Sequence, residues 1–246
     1  MNRFFVPPEA ISRGFVSFSA EQAAQINKVL RLRLGDEATA LDGLGKEYLV
    51  GLTKLTKSEA EGEIRRISEC TTEASVHLHL YVSLTQREKF ELILQKCTEV
   101  GVSEFTPVLF ARSLVPKSSD FEGKRDRWEK ILQEAAEQSG RCIIPRLNDP
   151  VKHAAAISGC TGPIKLLAWT QEQSTHLIHK VQSGQSGSAA LMIGPEGGMT
   201  AEEVALAQSH GWQPVSLGKR VLRMETAAMI GSALILAVAE SDQSAG

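Results

Sequence analysis

The 246-residue sequence predicts an α/β protein in two parts: a small strand-rich part over residues 1–72, then a mostly parallel sheet covered by helices over residues 73–246. Three observations predict it. Short apolar runs separated by glycine or charged turns fill the first seventy or so residues, the pattern of a small β-barrel or compact sheet. From Ser75 onward, apolar strands alternate with longer helical segments, as parallel strands joined by crossover helices do. Between the two textures, near residues 70–75, there is no repeat, low-complexity tract or obvious flexible linker.

In the first part, Arg3-Phe4-Phe5-Val6 is an apolar run stopped by Pro7-Pro8, since proline has no N–H to give a strand ladder. Ser19-Ala20-Glu21-Gln22 has capping-box spacing and opens a helix ending near Leu30. Strands are expected at Ala38–Leu41, Tyr48–Leu52 and Glu63–Ile67, with a turn at Asp42-Gly43. In the second part, Val76–Leu84 is a strand alternating with His77 and His79, Arg87–Val100 a helix stopped by Gly101, and Thr106–Phe110 an apolar run. Lys124–Ser139 is a charge-rich helix ended by Gly140. Ile164–Trp169, Ala189–Ile193 and Pro214–Leu217 read as strands; Thr175–Gln182, Thr200–Ser209 and Thr226–Glu240 read as helices.

An apolar fraction of 42% and a charged fraction of 23% allow an ordinary soluble core. The net charge of −2 gives no broad basic footprint for nucleic acid, although a local patch is compatible with it. Cys70, Cys97, Cys142 and Cys160 lie far apart with no C-x-x-C pair, and no apolar signal segment is present at the N-terminus. Four reduced, mostly buried thiols in a cytoplasmic protein are therefore expected. The longest apolar run, Thr226–Ala239, is shorter than a bilayer span and predicts a buried or interfacial helix rather than a membrane anchor.

Ligands of parallel sheets bind at the carboxyl ends of the strands. Two loops there carry suitable chemistry. Gly194-Pro195-Glu196-Gly197-Gly198 follows Leu191-Met192-Ile193, and its glycines permit positive φ and close approach of a ligand to the backbone. Gly218-Lys219-Arg220-Val221-Leu222-Arg223-Met224-Glu225-Thr226 follows Val215-Ser216-Leu217. Neither G-x-x-x-x-G-K-[ST] nor G-x-G-x-x-G is present, and Glu196 would repel a pyrophosphate. A cofactor with a cationic or neutral centre fits better.

The pair IGPEGG and LGKRVLRMETA resembles the knot region of the SPOUT class of methyltransferases, and more narrowly the bacterial family that methylates N3 of a uridine in the decoding region of 16S ribosomal RNA. Further similarity lies in Arg3–Val6, in VLRLRLGD (29–36), in QKCTEVGV (95–102) and in EAAEQSGR (134–141), so it covers nearly the whole chain. Ala24-Gln25-Ile26-Asn27 departs from it, standing where histidine is expected.

The resemblance implies an N-terminal PUA-like RNA-binding β-barrel, a C-terminal domain with a trefoil knot, a homodimer, and S-adenosylmethionine as cofactor. Carried over residue by residue, Gly194, Pro195 and Gly198 form one cofactor loop, and Leu217, Gly218, Leu222, Arg223 and Thr226 the other. Leu167, Ala168 and Trp169 supply a third wall. The partner implied is 16S rRNA in the small subunit, with Arg31, Arg33, Arg112 and Arg141 as its contacts, Arg112 and Arg141 holding phosphate rather than base edges.

N3 of uridine carries a proton at neutral pH, so the site needs a base, or a cation that favours the anion. Arg223, Glu196 and Arg112 are the catalytic candidates, with a salt bridge from Arg223 to Glu196 or Glu225 as the structural alternative. Lys96 and Glu99 read as a surface pair. His77/His79 and His176/His179 lack further ligands at metal spacing, so no metal is expected. Lys124–Trp128 reads either as an RNA contact or as a solvated helix face. The small residues Ala227, Ala228, Gly231 and Ala233 of the last helix agree with a dimer contact. The rival functions are a SPOUT enzyme acting on tRNA or on a ribose 2′-oxygen, and a non-catalytic assembly factor; intact glycines in both loops argue against the latter.

Overall fold

The computed structural model describes residues 2–114, 123–182 and 187–243. It divides into two compact units, Met1–Glu73 with Ala136–Ile144, and Ala74–Ala135 with Pro145–Gly246.

In the first unit, β1 (Arg3–Phe5), β2 (Ile11–Ser12) and β3 (Phe15–Phe18) precede helix α1 (Ala20–Ala24), followed by β4 (Glu37–Leu41), β5 (Lys46–Leu55) and β6 (Ala60–Glu69). Among the described residues these strands form a mixed six-stranded sheet ordered β1-β4-β5-β6-β3-β2, with β1 parallel to β4 and the other pairs antiparallel. Phe4, Val16, Phe18, Ala40 and Val50 fill its core. The capping box forms as the sequence indicates: Gln22 N donates to Ser19 Oγ at 3.2 Å and Ser19 N to Gln22 Oε1 at 3.0 Å. The helix continues to Val29 as a wider π turn.

The cysteine expectation is corrected here. Cys70 and Cys142 are joined by a disulfide with Cα atoms 6.1 Å apart, while Cys97 and Cys160 are free and buried. A sequence separation of 72 residues leaves no local spacing motif to reveal such a pair. Polar contacts hold Ala136–Ile144 in the same unit. Glu73 accepts from the Arg141 guanidinium at 2.7 Å and from the backbone N–H groups of Cys142 and Ile143 at 2.9 and 3.1 Å. Phe5 N donates to Glu137 Oε1 at 3.0 Å.

The second unit contains β7 (His77–Ser83), α2 (Arg87–Val100), β8 (Glu104–Leu109), most of α3 (Arg125–Ser139), β9 (Arg146–Leu147), β10 (Val151–Lys152) and α4 (His153–Gly159). It continues through β11 (Ile164–Ala168), α5 (Leu177–Gln182), β12 (Ser188–Ile193), α6 (Ala201–Ser209), β13 (Gln213–Val215) and α7 (Met224–Gln243). The strands form a parallel sheet ordered β10-β8-β7-β12-β11-β13, with β9 also on β8.

Alternation along β12 shows how the sheet is covered. Ala190 and Met192 join a core with Val204, Ala207 and Trp212. Leu191, one residue out of phase, faces α7, where a Cβ built on Gly231 would stand 2.8 Å from Leu191 Cδ2. At 20 residues, α7 is longer than its apolar run indicated, and by length and composition it meets the requirement for a membrane span. It packs instead on α2, α5, β7 and β12, as a covering helix does. From β7 the chain runs outward to β8 and later returns to β12 on the other side. This reversal is where parallel sheets place ligands, beyond the carboxyl ends of the strands.

Candidate active site

The carboxyl ends of β11, β12 and β13 open onto a cavity of about 950 Å³. Three chain segments supply most of its walls, all from the second unit, and Lys89 of α2 borders it as well.

The first is Gly194–Gly198. Gly198 N donates to Pro195 O at 2.9 Å, and Gly198 has φ 72°, where an L side chain is strained. Gly194 has no room for a side chain, because an added Cβ would lie 2.8 Å from Met199 Cγ. The loop ends at a capping box in which Glu203 N donates to Thr200 Oγ1 at 3.2 Å and Thr200 N to Glu203 Oε2 at 2.8 Å. The other Glu203 oxygen accepts from Ala111 N at 2.8 Å, fixing the neighbouring loop that carries Arg112.

The second wall is the loop from Ser216 into α7. Gly218 has φ 118°, and its N–H donates to Ser216 Oγ at 3.2 Å. The third begins at Ala168 and Trp169 and continues through Thr170, Glu172, Gln173 and His176. Trp169 N donates to Val215 O at 3.1 Å, tying this wall to the second. Glu172 Oε1 accepts from Ser174 Oγ, Ser174 N and Thr175 N at 2.6, 2.8 and 2.9 Å. These bonds, the Ser174 hydroxyl first, hold its carboxyl down at about 2.

Of the residues expected to hold a cofactor, Ala168, Trp169, Gly194, Pro195, Gly198, Leu217, Gly218, Leu222 and Arg223 all border this cavity. Leu167 does not; strand alternation turns it into the core with Met192 and Trp212. Thr226 does not either, and Ala227, the next residue of α7, borders the cavity in its place.

Among the catalytic candidates, Glu196 and Arg223 line the cavity, whereas Arg112 lies outside it and donates from Nη1 to Gly197 O at 3.2 Å. Glu196 does not pair with Arg223; its ion pair is with Lys89 Nζ from the first turn of α2. Arg223 makes no ion pair among the described residues.

Arg31 and Arg33 are exposed in the first unit, with Arg31 at φ 55°. Arg141 is a correction: it is 3% exposed and its guanidinium is turned into Glu73, so it holds its own unit together rather than reaching for phosphate. The charged face of α3 is engaged in the same manner. Arg127 clamps both oxygens of Glu91 at 2.6 and 2.9 Å, holding that carboxyl at about 2, while Trp128 is buried against Phe90. Lys96 bonds Glu99 at 2.8 Å, as its spacing suggests. His79 sits at the amino edge of the sheet, bonded to Thr106 Oγ1 at 2.7 Å, and burial pushes its imidazole down to about 4 against the pull of Glu104.

Sequence reasoning missed Lys89, Glu172, Gln173, His176 and Ser216. The loop after Trp169 carried a signal, since it leaves the strand assigned as the third wall. Lys89 carried none, lying 107 residues before Glu196.

Residues 72–236 match the RNA methyltransferase domain family, and residues 26–65 match the RNA methyltransferase PUA domain. The chain is 36% identical over 242 residues to a ribosomal RNA small subunit methyltransferase E of Synechocystis, covering 97% of this chain and 78% of that one. It is 31% identical over 206 residues to a protein of the same name from Mesomycoplasma hyopneumoniae, covering 83% and 87%. Among solved structures, the ribosomal RNA small subunit methyltransferase E of Neisseria gonorrhoeae bound to S-adenosyl methionine superposes with a TM-score of 0.85 at 31% identity, over 97% of this chain and 98% of that one. With a glycine-walled cavity at the carboxyl edge of its parallel sheet and these likenesses along nearly its whole length, the chain belongs to the ribosomal RNA small subunit methyltransferase E family.

Proposed function

We propose that this protein transfers a methyl group from S-adenosylmethionine to N3 of a uridine in the decoding region of 16S rRNA, within the small ribosomal subunit. The observation that carries the reading is the cavity bounded by both glycine loops in a chain of an RNA methyltransferase family. A volume of about 950 Å³ suits a ligand of this cofactor's size. The walls combine apolar side chains, Ile193, Leu217 and Leu222, with backbone left bare at Gly194, Gly198 and Gly218. Adenine and ribose call for that combination, and the sequence carries no G-x-x-x-x-G-K-[ST] phosphate loop. The S-adenosyl methionine bound by the Neisseria relative supports the same ligand.

In this reading Gly194, Pro195 and Gly198 hold the cofactor from one side, Leu217, Gly218 and Leu222 from the other, and Ala168 and Trp169 from the third. The bound cofactor supplies an electrophilic methyl group. The chain's own task is to bring N3 into line with it, exclude water and favour the deprotonated uracil. Arg223, at the cavity and without an ion pair among the described residues, positions a uracil carbonyl or a neighbouring phosphate. Arg112 steadies the first loop through Gly197. Residues 1–72 grip the RNA through exposed groups including Arg31 and Arg33, and residues 73–246 carry the chemistry. The same reading includes a trefoil knot in the C-terminal part, a homodimer and a cytoplasmic site of action.

The test is mass spectrometry of nucleosides from 16S rRNA of a strain lacking the gene. Loss of 3-methyluridine, restored by the cloned gene, is expected; an unchanged level overturns the acceptor assignment. Calorimetry with S-adenosylmethionine checks the cofactor independently.

A further inference from the structure

Lys89 is explained neither by the fold nor by cofactor binding. It occupies the first turn of α2, after the N-cap Gln86, where a cation runs against the helix dipole. Its partner Glu196 is on a different segment, and both side chains border the cavity. Their side-chain exposures are 36% and 27%, a range in which an ion pair adds little to stability. The pair thus places one cation and one carboxylate side by side at the cavity, whereas the third wall's own carboxylate, Glu172, has one oxygen engaged by Ser174 and Thr175.

The function proposed above, on which this inference rests, requires uridine N3 to lose a proton, and the resulting charge spreads onto the two flanking carbonyl oxygens. We propose that Lys89 stabilises that charge. When uridine enters, the ammonium exchanges Glu196 for a uracil carbonyl oxygen. The N3–H bond breaks, its electron pair stays on the ring, and the proton passes to the released Glu196 carboxylate. Lys89 remains an ammonium throughout, and N3 is left as the nucleophile. The preformed pair keeps both groups in place before substrate arrives, which is how an electrostatic contribution to catalysis avoids reorganisation at the moment of reaction.

The test is the single-turnover rate on small ribosomal subunits lacking 3-methyluridine, measured against pH for the native protein, Lys89→Met and Lys89→Arg. At pH 7, Lys89→Met is expected to lose about a hundredfold in rate. The deficit should shrink to a few-fold near about pH 10, where uridine ionises unaided. Lys89→Arg restores most of the rate at pH 7, and cofactor affinity by calorimetry is unchanged in both variants. Glu196→Gln is expected to show the same recovery at high pH. A deficit in Lys89→Met that is equal at every pH, or a native rate in that variant, overturns the proposal. Failure of the native protein to form 3-methyluridine overturns instead the acceptor reading beneath it.

Discussion

Gly218 shows how a single backbone angle is tied to the site. Its φ of 118° lies in a region that side chains rarely adopt, and an added Cβ meets no atom within 4 Å because the residue borders open space. Gly218→Val therefore acts through strain of about 1–3 kcal/mol and by intruding on the opening, not by disrupting the core. It is expected to weaken S-adenosylmethionine binding by at least about tenfold in calorimetry and to lower the melting temperature by roughly 2–10 °C through the strain. Undiminished affinity would remove this loop from the site. The two glycine loops were legible in the sequence because turn chemistry is local: clustered glycines after an apolar strand predict both the bend and the bare backbone. Lys89 was illegible for the opposite reason, since its role depends on a partner that only the tertiary fold brings near. Arg141 was misleading, because a charged residue next to a helix-ending glycine reads as exposed until the carboxylate that buries it, Glu73, is located.

Among elements, α7 depends on small residues for its fit to the sheet. Gly231 lies against Leu191, and a Cβ there would come within 2.8 Å of Leu191 Cδ2. Gly231→Leu is expected to destabilise the protein by about 1–3 kcal/mol in urea unfolding, the usual cost of overpacking. Equal stability would show that α7 and β12 are not closely packed at this point. The long elements were readable from periodicity alone: Arg87–Val100 with its stop at Gly101 was predicted to the residue. Two-residue strands such as β2, β9 and β10 carry no alternation to detect, and α4 is only 7 residues long. These were assigned to neither class.

At the scale of the whole molecule, acid sensitivity follows from His79. Its imidazole titrates at about 4 in the fold and near 6.5 when unfolded, burial being the main cause. Between these values the unfolded chain binds more protons, so this contribution to stability is complete above pH 6.5 and is lost as pH falls toward 4. It amounts to about 3 kcal/mol. His79→Gln should flatten the fall of melting temperature over that window, and an unaltered slope would refute the assignment. The division of the chain has a consequence of a different kind. The first unit includes Ala136–Ile144, whose Ala136 and Cys142 cover Phe5 and Leu41. During synthesis, strands made first must wait for that cover. At about 5–20 residues per second the delay between residues 73 and 144 is roughly 4–14 s. For that interval the nascent chain carries an uncapped apolar surface, which makes the period of translation itself, rather than the finished protein's lifetime, its moment of greatest exposure to chaperones and aggregation.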